Sequence, residues 1–503
     1  MTPRGNRRSK NLAKRSITGT IWMLGARFLA RFSDIILLMV LARFLAPDDF
    51  GLIALATSVT AIISTVVALP IDVPLINVKA VRLVFFHTAF SLAVLRAAII
   101  IISACIAAPI AARAFEDDRL IPIILALSAS ISARSFMSPR MTLLARRIQL
   151  KPSFMIDLSG KIAGMLCAVI FVSFFPNHWA LVVSPAVWSI TSVVASYIVA
   201  PYRPKLDFSE WRHFSSYLAW MFPAQILAAI ASQADKLILG ALIPMGQLGQ
   251  YNVASQISNI AEVTVRRSIS SSLMPSFNSL LAQADRLRRG YFLADSAIFM
   301  IGLPIYMLLS AFSNVIVILA LSPAWANTAP FLQGLALAMI PTLFRIPFRS
   351  LAFAMKRADL VFWLGVVNFA VRILAILIGY RFGGALGVVY GIGLGNIFIA
   401  GVSTLFVQWL IKADPKEQVM AIMRPLAGLT TMAPVAYYGA NVAAKSESLL
   451  ATALLAGSFS ILAILTYGTT ILLTWRLAAR PAGIEMRFIE LIARARKSEG
   501  AAR

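Results

Sequence analysis

The sequence predicts an all-α integral membrane protein of about fourteen transmembrane helices, in two six-helix lobes with two extra C-terminal helices. Three observations predict it. The 503 residues are 59% apolar and 13% charged, where soluble domains have about 45–50% and about 25%. Apolar runs of about 20 residues or more follow one another with only short polar breaks. The basic residues gather in alternate breaks, as the retention of Lys and Arg in cytoplasmic loops requires.

Taken in order, the spans are predicted at about 17–45, 50–78, 82–111, 118–145, 153–175, 180–201, 213–241, 247–275, 290–313, 326–354, 358–382, 386–411, 421–443 and 449–477. They divide the chain into a basic N-terminus (1–16), an N-lobe (17–201), a C-lobe (213–411), two further spans (421–477) and a basic tail (478–503). The connections are too short to hold a soluble catalytic domain. The first apolar stretch follows a basic start, as in a signal peptide. It is much longer than an h-region of about 7–15 residues, so it is expected to persist as the first helix. In the tail, Ile484, Phe488, Leu491 and Ile492 fall on one helical face with Arg487, Arg494 and Lys497 elsewhere, which predicts an interfacial amphipathic helix.

The formal charge of +25 would suggest nucleic acid in a soluble chain, but its placement reads as topology. One side holds thirty cations, from the six at the N-terminus to the seven from Arg476 onward. The other holds Arg113, Arg119, Arg381 and Lys445. Both termini are therefore expected on the cytoplasmic side of the membrane. Cys105 and Cys167 each lie inside an apolar run and are expected as small core residues, not as a disulfide.

A gapless shift of 198 residues aligns Trp22-Met23 with Trp220-Met221, and Ala26, Ala30, Leu41, Gly51, Ala56 and Ile62 with Ala224, Ala228, Leu239, Gly249, Ala254 and Ile260. A repeat in this register makes the two lobes parallel copies, an architecture that places a transporter's site between its halves. Gly383, Gly387, Gly391 and Gly395 share a face and predict close helix packing. Pro70, Pro74, Pro223, Pro341 and Pro347 are expected bending points.

Twelve basic residues fall within spans or at their edges: Arg27, Arg31, Arg43, Arg96, Arg134, Lys161, Lys236, Arg266, Arg267, Arg345, Arg349 and Arg372. A cation facing lipid at mid-bilayer costs about 2.5–3.5 kcal/mol on insertion scales, so these must snorkel, pair or line water. Arg43, Arg345 and Arg349 lie where snorkelling is open to them. Lys161 is one turn from Asp157, and Arg266 one turn from Glu262, so both pairs form cheaply. Arg27, Arg31, Arg96, Arg134 and Arg372 fall near the middle third of their spans. A water-filled cationic cavity explains this set, and a static ion-pair network is the other account. Such a cavity selects an anion, and guanidinium groups grip phosphate oxygens in pairs. The candidate substrate-binding set is Arg27, Arg31, Arg96, Arg134, Lys236, Arg266, Arg345 and Arg372. Asp34, Asp235 and Glu262 are the candidate ion-coupling carboxylates, with pairing to a neighbouring cation as their alternative role.

Three stretches resemble the Wzx-type oligosaccharide flippases, the polysaccharide-transporter branch of the multidrug/oligosaccharidyl-lipid/polysaccharide exporter superfamily. The first is Leu41 to Leu52, with Arg43, Leu45, Pro47, Phe50 and Gly51 at the family's Arg-x-Leu-x-Pro-x-x-Phe-Gly positions. The second is Asp235-Lys236-Leu237 to Gly240, followed by Leu248-Gly249-Gln250-Tyr251 to Ala254. The third is Leu143 to Arg147 with Trp179-Ala180-Leu181-Val182. An aromatic usual in the family soon after the basic pair is replaced by Leu150 or delayed to Phe154.

The resemblance implies a transporter, not an enzyme, that moves an undecaprenyl-diphosphate-linked oligosaccharide from the cytoplasmic to the periplasmic leaflet by alternating access, for exopolysaccharide, capsule or lipopolysaccharide assembly. It implies the lipid bilayer and a polysaccharide polymerase or export machinery as partners, with no cofactor and no nucleic acid. Three alternatives stand beside it. A peptidoglycan lipid-precursor flippase would share fold and ligand charge. A drug or cation exporter would need an acidic or apolar cavity. A membrane glycan polymerase or ligase commonly carries a long periplasmic loop with acidic or histidine residues, and the only histidines here, His87, His178 and His213, lie near span ends. No Gly-Lys-Ser/Thr phosphate loop supports direct use of ATP.

Overall fold

Every regular element among the described residues is helical, as a backbone surrounded by lipid demands. The computed structural model describes residues 33–68, 82–146, 149, 151–211, 229–446 and 448–478. Arg27, Arg31, Pro70, Pro74, Pro223, His213, the Trp22-Met23 and Trp220-Met221 match and the amphipathic tail lie outside these residues, as does the Arg267 side chain. Nine helical stretches among the described residues, with Thr328–Ala354 counted as one, are long and apolar enough to cross a membrane. The described residues form two compact units, one reaching to Gly249 and one starting at Gln250.

The first unit contains α1 (33–44), α2 (Pro47–Val66), α3 (Leu83–Ala114), α4 (Leu120–Ser135), α5 (Met141–Arg146), α6 (Lys151–Phe174), α7 (Trp179–Val199) and α8 (229–242). Pro47 opens α2 where a missing amide costs nothing, and Asp48 and Asp49 in its first turn complement the helix dipole. The Asp49 carboxylate also accepts a hydrogen bond from the Ala46 amide at 3.3 Å.

The predicted span 118–145 is broken, because Pro139 cannot continue a helix. The groups freed there find partners on the end of α7. The Ser138 amide donates to Ser196 Oγ at 3.0 Å, and Ser138 Oγ donates to the Ala200 carbonyl at 2.7 Å. Cys167 is partly buried in α6, but Cys105 sits on an exposed face of α3, so its assignment to the core is corrected.

A reciprocal contact joins the start of α2 to residues 245–249. A Cβ on Gly51 would strike the Met245 carbonyl, and a Cβ on Gly249 would strike the Pro47 carbonyl. Both glycines, and both of the residues they touch, are related by the 198-residue shift.

The second unit begins in α9 (Met245–Leu280). It continues with α10 (Ala284–Ala311), α11 (Ser313–Ala320), α12 (Thr328–Met339), α13 (Arg345–Ala354), α14 (Ala358–Ile411), α15 (Pro415–Ala444) and α16 (Leu449–Leu477). Phe277, Tyr291, Phe299, Tyr306, Phe348 and Leu351 fill its main core. Asp414 and Ser448 cap α15 and α16 by accepting from the Lys416 and Ala451 amides at 2.9 and 3.1 Å.

Two irregularities interrupt the helices of this unit. Between α12 and α13 the backbone tightens to a 3-10 turn over Ile340–Phe344, with Pro341 near its start, so the predicted span 326–354 is interrupted within its length and Arg345 opens the second piece. In α14 the helix reverses at Gly383 and Gly384, where Gly384 has φ of 56°. The arms on either side pack through Gly379 against Gly387 and through Gly391 against the Ala375 backbone. Gly387, Gly391 and Gly395 pack the arms as the spacing predicts, whereas Gly383 lies at the bend with open space beside it.

Candidate functional site: a guanidinium cluster in the second unit

α9, α13 and α14 bring four guanidiniums within reach of one another's charge. Glu262 and Arg266 stand one helical turn apart on α9, with Arg266 Nε 3.8 Å from the carboxylate. Arg345, placed by the break before α13, feels Glu262, Arg372 and Arg349, and donates from Nη1 to Asn368 Oδ1 at 3.1 Å. Arg349 lies one turn further along α13 and feels Arg266 and Glu262. Arg266, Arg345 and Arg349 thus share one carboxylate, and Arg372 adds its charge beside Arg345.

Arg345 is packed among protein atoms on nearly every side and yet remains accessible to water, while Arg349 is exposed. Neither guanidinium is therefore fully enclosed by the protein. A group of this kind, with excess positive charge and partly wetted donors in fork geometry, can bind a phosphate or diphosphate.

The first unit carries a different arrangement. Lys161 Nζ meets Asp34 Oδ1 at 2.6 Å, and Arg134 Nη2 meets Asp157 Oδ1 at 3.1 Å. Proximity along α6 suggests a Lys161–Asp157 pair, but the tertiary fold gives Asp157 to α4 and Lys161 to α1. Both cations also lie over the Trp188 ring, with Arg134 Cζ 4.0 Å and Lys161 Nζ 5.1 Å from its centroid. Gly160 admits that ring, since a Cβ there would lie 2.6 Å from Trp188 Cδ1. Trp188 escapes sequence reasoning because an aromatic in an apolar span looks like core. Only the cations on other helices mark it.

Among the remaining sites, Arg96 is half-buried on α3, and Lys236 is half-buried on α8 beside the buried Asp235. His87 Nδ1 shares a hydrogen bond with Tyr202 Oη at 2.7 Å, and His178 Nδ1 lies 3.6 Å from Asp49. No group of three or more His, Cys, Asp or Glu among the described residues is placed to hold a metal. A groove of about 580 Å³ along the α14 hairpin, lined by residues such as Ile378, Phe382, Leu394 and Phe398, is apolar and offers no cation to a phosphate.

A family model described as polysaccharide biosynthesis protein matches residues 40–330. The lipopolysaccharide biosynthesis protein WzxC of Escherichia coli (strain K12) is 24% identical over 391 residues, 77% of this chain and 80% of its own length. The teichuronic acid biosynthesis protein TuaB of Bacillus subtilis (strain 168) is 21% identical over 277 residues, 53% of this chain and 57% of its own. Among solved structures, the lipid II flippase MurJ in an inward closed conformation superposes with a TM-score of 0.68 at 14% identity, covering 92% of this chain and all of that one. An inward-facing multidrug resistance MATE transporter of the MOP superfamily gives 0.57 at 14% identity, covering 76% of this chain and 94% of that one. These two likenesses concern the fold. With the family model matching more than half of its length, the chain belongs to the polysaccharide biosynthesis protein family as a Wzx-type flippase, a multi-pass membrane transporter and not an enzyme.

Proposed function

We propose that the protein carries an undecaprenyl-diphosphate-linked oligosaccharide from the cytoplasmic to the periplasmic leaflet of a bacterial inner membrane by alternating access, with both of its termini in the cytoplasm. The observation that carries this reading is the convergence of Arg266, Arg345 and Arg349 on Glu262, with Arg372 acting on Arg345 beside them. Three cations around one anion are poorly balanced alone, and a diphosphate restores the balance. Arg345 and Arg372 grip the diphosphate, Arg266 releases Glu262 to join them, and the lipid tail stays in the bilayer. Arg27, Arg31, Arg96, Arg134 and Lys236 are further cations proposed to meet the anion during transport, with Asp34, Asp235 and Glu262 exchanging partners as it moves. A polysaccharide polymerase or export machinery takes over the product.

The relatives support this reading by their names, which belong to lipopolysaccharide and teichuronic acid biosynthesis. The arginine excess also disfavours a cationic drug as cargo. The test is export of surface polymer in a strain whose own flippase is deleted. The Arg345→Ala, Arg372→Ala variant, present in the membrane at wild-type level, is expected to abolish export. Full export from that variant would refute the assignment.

A further inference from the structure

Asp295 lies near the start of the apolar run of α10 and is fully buried. Neither carboxyl oxygen has a hydrogen-bond partner among the described residues. The Gln418 amide, from the first turn of α15, stands close enough to act on the carboxyl without being aligned for a hydrogen bond, and its own two polar atoms are likewise unpartnered. One turn back on α10, the Tyr291 hydroxyl is near enough to feel Asp295 and is also buried without a partner.

The elements packed on α10 bring no described cation to this place. Ser313–Ala320, Thr328–Met339 and Ile340–Phe344 have no charged side chain. Arg345 and Arg349 face Glu262, and Arg288 meets Glu417 at 3.3 Å. The basic and acidic groups of α14, α15 and α16 are not among those acting on Asp295. A carboxylate left bare in such surroundings is costly, and an ionisable residue buried inside a membrane protein marks an ion or proton path.

We propose that Asp295, with the oxygens of Gln418 and Tyr291, is a binding site for one monovalent cation, a proton or a sodium ion, taken up during the transport cycle. Its role in the cycle rests on the transporter reading above, whereas the binding itself does not. The cation neutralises the carboxylate while α10 and α15 are closed over it. The Arg288–Glu417 pair joins the same two helices beside Gln418, so parting them there wets Asp295 and lets the cation leave. The sequence alone points to Asp34, Asp235 and Glu262 for this role. Asp34 meets Lys161 and Glu262 lies among arginines, so each already has an opposite charge close by.

The test compares purified wild type, Asp295→Asn and Asp295→Glu in detergent. Thermal unfolding is followed in choline chloride from about pH 6 to about pH 9, and with sodium chloride replacing choline at fixed pH. The wild type and Asp295→Glu respond to pH if the ion is a proton, or to sodium if it is sodium. Asp295→Asn loses that response. Equal responses from wild type and Asp295→Asn would overturn the site. Polymer export is measured alongside, where Asp295→Asn is expected to abolish it and Asp295→Glu to retain it. Loss of the cation response with undiminished export would overturn the coupling role, and would leave the arginine assignment standing on its own variants.

Discussion

Glu262 restrains the guanidinium cluster. It lies 3.8 Å from Arg266 and acts on both Arg345 and Arg349, so replacing it by Gln removes the nearest competitor for an incoming anion. With screening close to that of bulk water, one such charge about 4 Å away is worth about 1 kcal/mol, or roughly fivefold in affinity. Glu262→Gln is expected to bind pyrophosphate about fivefold more tightly, as read by calorimetric titration, and an unchanged or weaker affinity would show that Glu262 does not face the ligand. Outside the membrane, the Arg119 guanidinium grips Asp117 at 2.7–3.1 Å and holds its carboxyl below the ordinary range. A depressed carboxylate stabilises the fold above its unfolded value, near 3.9, and loses that contribution as pH falls through the folded one. Because the pair is partly exposed, the effect is below about 1 kcal/mol. Arg119→Gln is expected to flatten the fall in thermal stability below about pH 4. At this scale the sequence discloses which residues are costly but not whom they meet. Spacing along one helix suggests Lys161 with Asp157, while packing across helices decides for Asp34 and Arg134. Asp295 is silent in the sequence because its polar neighbours, Tyr291 apart, come from another helix.

Elements are more legible than partners, since hydrophobic runs and prolines act locally. Pro341 is an expected bend in its span, and it stands at the 3-10 turn that sets Arg345 at the head of α13. The glycine face of α14 reads as a packing surface, and Gly387 and Gly391 pack against the opposing arm. The reversal itself needs Gly384 at φ 56° and ψ −143°, a conformation essentially confined to glycine that costs a residue with a Cβ about 1–3 kcal/mol. Gly384→Ala is therefore expected to destabilise by about 1–3 kcal/mol, and Gly387→Leu, which drives a side chain into the Gly379 carbonyl, by about 1–3 kcal/mol or more. Thermal unfolding in detergent measures both. If Gly387→Leu matched the wild type, the arms would not be packed as described. Gly51 and Gly249 make the same prediction at the α2–α9 contact, where either Val substitution meets a backbone carbonyl.

For the whole molecule, composition suffices to specify a helical membrane protein, because an apolar fraction of 59% leaves no soluble alternative. Orientation follows from the cation bias. With Cys105 and Cys167 replaced, a cysteine at Ser446 is expected to react with an impermeant maleimide added outside the cell, and one at Ser209 only after permeabilisation. The reverse pattern would invert the topology. What composition could not supply is the site, which depends on charges drawn from α9, α13 and α14 into one place. Its meaning is best tested by transfer itself. Purified protein in liposomes of neutral lipid is supplied with a fluorescent polyprenyl-diphosphate sugar in one leaflet, and its arrival in the other is timed. The wild type is expected to speed transfer of the diphosphate over its dephosphorylated alcohol, and the Arg345→Ala, Arg372→Ala variant to lose that preference. Equal transfer of both lipids by the wild type, or undiminished diphosphate transfer by the variant, would contradict the assignment of the arginine cluster as the cargo site.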